Sequence, residues 1–72
     1  MAEIAGRCLL KRLLRARKMS QQDLADKLGK PKSQISEYAN GNVIMSLTTA
    51  RNIAKALGCM IDELYEWIPS KE

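Results

Sequence analysis

No histidine occurs anywhere in the 72 residues, and that absence removes much chemistry. Neither a Ser–His nor a Cys–His nucleophilic pair can form. Only two cysteines are present, Cys8 and Cys59, far apart in sequence. A zinc site needs more ligands at tighter spacing, so neither a metal nor another cofactor is expected. A disulfide is unexpected in a reducing compartment, and both thiols are read as free and buried. Glycine is sparse and forms no phosphate-cradling loop. The acids are scattered without a paired-carboxylate motif. An enzyme is therefore not expected. No apolar run approaches the roughly 18 residues of a membrane span. Lys11, Arg12 and Arg15 interrupt LLKRLLR, which leaves no signal-peptide core and suggests a cytoplasmic protein. Strand signals, internal repeats and low-complexity linkers are missing as well.

What remains is one small domain over residues 1–72 with an uneven charge. Residues 1–18 carry six basic groups (Arg7, Lys11, Arg12, Arg15, Arg17, Lys18) against Glu3 alone. Asp62, Glu63, Glu66 and Glu72 face only Lys71 in the tail. A basic front suits a polyanionic partner; solvated helix faces are the plainer alternative.

Helical periodicity predicts five helices in a compact all-α bundle. The first covers about 4–17, with Ile4, Cys8, Leu9, Leu10, Leu13 and Leu14 at helical spacing. The second covers about 20–28. Ser20 is its N-cap, Asp23 a capping-box partner and Gly29 its stop. The third covers about 31–40, with Pro31 in its first turn, Ile35 and Tyr38 inward and Gly41 at its end. After the loop NVIM, Ser46 caps a fourth helix over about 47–57. Its inward residues are Leu47, Ala50, Ile53, Ala54 and Leu57, and Gly58 stops it. The last covers about 61–67, with Ile61, Leu64 and Tyr65 inward.

Only a few residues around Gly29 join the second and third helices. That spacing predicts a helix-turn-helix, in which the second helix of the pair enters a major groove. Ala25 is small where two helices cross, and Gly29 tolerates the left-handed turn.

The stretch SQQDLADKLGKPKSQISEYANG, followed by SLTTARNIAKALG and IDEL, resembles the phage-repressor and Cro-type (XRE) helix-turn-helix family over about residues 9–66. The resemblance implies a lambda-repressor-like five-helix domain. It also implies sequence-specific double-stranded DNA binding, usually by a homodimer on a palindromic operator, and transcriptional regulation, with repression the commoner sense. Lys30 stands where the family is commonly apolar, Pro31 where Ser or Thr is common, and Met45 where Pro is common. Many relatives pair an Arg in the first helix with a Glu late in the third. Leu14 and Ala39 occupy those positions, and both are expected to be close and buried. Replacing both halves of a buried ion pair by apolar groups can be neutral or stabilising.

Carried over by position, Lys32, Ser33, Gln34 and Glu37 are the base readers. Lys32 suits guanine acceptors, Gln34 suits adenine, and Glu37 suits the cytosine amino group. Gln21 and Gln22 open the second helix, whose positive end favours phosphate. Lys30 is a further phosphate cation. Asn40, Gly41 and Asn42 are expected to offer backbone N–H groups to phosphate. Arg15, Arg17 and Lys18 are possible additions. Ser36 is read only as a neighbour of the backbone. Trp67 and Ile68 exceed what so small a core needs and are assigned to a dimer contact. Folding of Trp67 back onto its own domain is the competing reading. A protein-interaction module on the same fold, an antitoxin or an antirepressor-binding partner, is the rival function. The apolar Val43-Ile44-Met45 favours that rival, and the polar outer face of the third helix favours DNA. The chain could also be the DNA-binding part of a longer regulator. No small-molecule site is evident.

Overall fold

A computed structural model describes residues 2–70. In chain order the elements are β1 (Glu3–Cys8), α1 (Leu10–Ala16), α2 (Gln21–Leu28), α3 (Lys32–Ala39) and α4 (Leu47–Leu57). A 3-10 turn (Ile61–Leu64) and β2 (Tyr65–Pro69) complete them. Among the described residues there are thus four α-helices and a two-stranded antiparallel sheet, and the expected all-α five-helix bundle is overturned. Lys71 and Glu72, part of the acidic tail, lie outside the described residues.

Both errors fall at the ends of the chain. The spacing of Ile4 and Cys8 fits a helix face, but residues 3–8 pair with residues 65–69 instead. The register sets Glu3 against Pro69, Ile4 against Ile68, Ala5 against Trp67 and Cys8 against Tyr65. An irregularity between Ala5 and Cys8 accommodates one extra residue on β1. Gly6 shows why the strand is needed there. A Cβ at that position would lie 2.7 Å from Ile68 Cδ1. Glycine also weakens a helix by about 1 kcal/mol relative to alanine. The β-branched and aromatic residues of YEWIP favour the pleated partner strand over a fifth helix.

The helices between behave as their sequence suggests. Ser20 and Asp23 form a reciprocal capping box, with both N–H···O contacts at 3.0 Å. Gly29 has φ +66° and ends α2 in a Schellman-type turn: Lys30 N–H donates to Ala25 C=O and Gly29 N–H to Asp26 C=O. Ser46 caps α4 through Thr49 N–H. Pro31 is the N-cap of α3, which begins at Lys32, one residue after the expected start.

The core joins Leu10 and Leu14 of α1, Leu24 and Ala25 of α2, Ile35, Tyr38 and Ala39 of α3, the α4 stripe and Leu64. Leu10, Leu24, Ile35, Ile53 and Leu64 are fully enclosed. Each contributes about 1.5–3 kcal/mol by leaving water. Leu14 and Ala39 are both buried within this cluster, at 4% and 6% exposure. Leu47, expected to face inward, is 77% exposed. It directly follows the Ser46 cap, and the inward stripe begins only at Ala50. Ile4 is likewise on the surface, and Cys8 and Cys59 are free but half-buried.

Candidate nucleic-acid interface

α2 and α3 pack together across the Gly29 turn, and α3 keeps one face to the core through Ile35, Tyr38 and Ala39. Lys32, Ser33 and Glu37 are all exposed on the remaining surface of α3. Gln34 is only half-exposed, and its amide donates to Tyr38 Oη at 3.0 Å. A second N–H and the carbonyl of Gln34 remain for another partner. Of the four expected base readers, three therefore stand free and one is braced.

Ser36 does more than line the backbone. Its hydroxyl donates to Gln21 Oε1 at 2.6 Å, linking the first turn of α2 to the middle of α3. The bond occupies the Gln21 carbonyl and leaves its N–H₂ as a donor at the positive end of α2. The two positions are fifteen residues apart, so only the packing of α2 on α3 reveals the pair. Gln22 is placed differently: its Nε2 donates to Asp26 Oδ1 at 2.8 Å, along its own helix.

The expected backbone donors after α3 are already in use. Asn40 N–H donates to Ser36 C=O, Gly41 N–H to Tyr38 C=O and Asn42 N–H to Glu37 C=O. Gly41, at φ +80°, makes this C-terminal turn possible. A helix end satisfies its own last carbonyls before it offers groups to a ligand. The exposed side-chain amides of Asn40 and Asn42 are what this turn presents. Lys30 is half-buried and lines a groove with Lys27 and Lys55, between α2 and α4. Arg17 is also committed elsewhere: its Nε–H donates to Leu57 C=O, where a cation suits the end of α4.

Sequence reasoning saw the basic front but not its location. Arg7, Lys11, Arg12 and Arg15 line one open groove with Asn40, beside the end of α3. In the loop that follows, Met45 is buried while Val43 and Ile44 are exposed. Tyr65 Oη accepts Met45 N–H at 3.2 Å and pins this loop to β2. Burial pushes the Tyr65 hydroxyl pKa above its ordinary value, which keeps it neutral. Trp67 and Ile68 are exposed on β2, and Trp67 Nε1 donates to Asp62 C=O at 2.9 Å. Among the described residues, no helix is long and apolar enough to cross a membrane.

A buried α2–α3 pair with a polar, partly basic outer helix defines a helix-turn-helix DNA-binding domain. The family model for the Cro/C1-type helix-turn-helix DNA-binding domain matches residues 9–70, and the chain belongs to this family. It is similar to an uncharacterized HTH-type transcriptional regulator, YopS, derived from the SPbeta prophage of Bacillus subtilis (strain 168). The two are 38% identical over 86% of this chain and 85% of YopS. YotL, a second SPbeta prophage-derived uncharacterized HTH-type transcriptional regulator of Bacillus subtilis (strain 168), is 37% identical over 81% of this chain and 74% of its own. The crystal structure of the transcriptional regulator VanUg superposes with a TM-score of 0.70 at 26% identity, covering 97% of this chain and 92% of VanUg.

Proposed function

We propose that this Cro/C1-type chain regulates transcription as a cytoplasmic, non-enzymatic homodimer that places two α3 helices in successive major grooves of a palindromic operator. The observation that carries this reading is the freely presented set Lys32, Ser33 and Glu37, on a helix held by three buried residues and the Ser36–Gln21 bond. Lys32 donates to guanine N7 or O6, and Gln34 reaches adenine with the hydrogen-bonding capacity that Tyr38 leaves it. Glu37 accepts from a cytosine amino group and disfavours sites that lack one. Gln21 and the Asn40 and Asn42 amides bind phosphate and set the register without specifying sequence. Gln22 and Lys30 are minor phosphate contacts in this scheme, given their other placements. The sheet that carries Trp67 and Ile68 is the dimerisation element.

The test is selection from random double-stranded DNA, followed by titration of the enriched site at several salt concentrations. The expected result is a two-fold symmetric site whose half-sites lie about one helical turn apart. Absence of enrichment would favour the protein-interaction module instead.

A further inference from the structure

One hydroxyl of the core reaches the outer face of α3. Tyr38 is 6% exposed, and its ring belongs to the buried cluster with Ile35 and Ala39. Its Oη nevertheless accepts Gln34 Nε2–H at 3.0 Å, one turn back along the same helix. Lys32, Ser33 and Glu37 stand exposed on that helix, whereas Gln34 is half-exposed. A glutamine amide carries one carbonyl and two N–H groups, and the torsion that turns it is soft. Left unbraced, it can direct both N–H groups at guanine O6 and N7. It can equally present its carbonyl and one N–H to the N6 amino group and N7 of adenine. Tyr38 takes one N–H away. One donor and one acceptor remain, which is the complement of adenine. Against guanine, which shows two acceptors, the remaining carbonyl meets another oxygen or nitrogen lone pair and is repelled.

We infer that Tyr38 is a positioning residue for DNA specificity: its hydroxyl holds the Gln34 amide so that α3 accepts adenine and rejects guanine at one position of each half-site. This rests on the reading of α3 as the base-contacting helix and names the group that makes one of its contacts selective. The anchor is rigid because the ring that carries it is enclosed. Holding Gln34 before DNA arrives also reduces the rotamer entropy lost on binding. A purely structural bond between these two residues would support the helix and leave base preference untouched.

Tyr38→Phe keeps the ring and removes the hydroxyl, and water can reach the N–H that half-exposed Gln34 then frees. Its helical circular dichroism spectrum should match the parent's. Tyr38→Phe, Gln34→Ala and the double variant are titrated against the selected operator and against duplexes with every single-base change in one half-site. Tyr38→Phe is expected to weaken binding to the adenine-bearing operator by about threefold to tenfold, as for one neutral hydrogen bond. The adenine-over-guanine preference should narrow at that position alone, with the salt slope unchanged because no phosphate contact is lost. With Gln34→Ala already present, adding Tyr38→Phe should change affinity by less than about twofold, since the hydroxyl acts only through Gln34. In the parent, a nuclear Overhauser contact between Gln34 Nε2–H and the Tyr38 ring should persist when the operator binds. A Tyr38→Phe protein with the parent's base profile overturns the inference and leaves DNA reading intact. An equal effect of Tyr38→Phe with and without Gln34, or loss of the Overhauser contact on binding, does the same. A parent chain that selects no sequence overturns the operator reading and the inference with it.

Discussion

Lys32 and Leu14 mark the two kinds of residue in this domain. Lys32 is exposed at the start of α3, with no packing duty. Lys32→Ala should lower specific affinity by about 1–3 kcal/mol and relax preference at one base pair. Binding titrations against single-base operator variants read this directly; an unchanged profile removes Lys32 from base readout. Leu14 is enclosed beside Ala39's helix. Leu14→Arg buries an unpaired cation and should cost about 3–5 kcal/mol, measured by urea unfolding. Adding Ala39→Glu restores the ion pair of many relatives and should recover much of that loss. A double variant no more stable than Leu14→Arg would mean that the two positions do not meet.

Among the elements, the helix-turn-helix was the most legible. Its caps and stops are local chemistry: Ser20 with Asp23, and Gly29 with its left-handed φ. Ser20→Ala removes one capping-box bond and should lower stability by about 1 kcal/mol in thermal or denaturant unfolding. The Ser36–Gln21 bond was not legible, because it depends on how two helices pack. It predicts that Gln21→Ala and Ser36→Ala both weaken binding to all DNA sequences alike, whereas Gln22→Ala, already turned to Asp26, has a smaller effect. Competition titrations with operator and random duplexes separate these outcomes. A loss confined to one base position for Gln21→Ala contradicts its phosphate role. The backbone of residues 40–42 illustrates the opposite error. Its N–H groups looked available in sequence, but closing the end of α3 consumes them.

For the molecule as a whole, charge and symmetry set the measurable behaviour. Each phosphate neutralised contributes about −0.9 to the slope of log K against log salt on double-stranded DNA. A dimer on a full site should show about twice the slope of one subunit on a half-site; equal slopes would mean that a single subunit engages DNA. The positions of α2, α3 and α4, their caps and the polar character of α3 were determined by the sequence, because each depends on residues within a few positions of one another. Tertiary structure alone decided the rest. β1 and β2 lie at opposite ends of the chain, and although YEWIP has β propensity of its own, each becomes a strand only by pairing with the other. The same packing turned Ile4 outward, drew Arg17 to the end of α4, gathered Arg7, Lys11, Arg12 and Arg15 beside Asn40 and joined Ser36 to Gln21. A pattern of local spacing carries no information about contacts between segments so far apart, and those contacts turned residues 3–8 of the expected first helix into a strand, leaving α1 at Leu10–Ala16, and reduced the expected last helix to a 3-10 turn followed by β2.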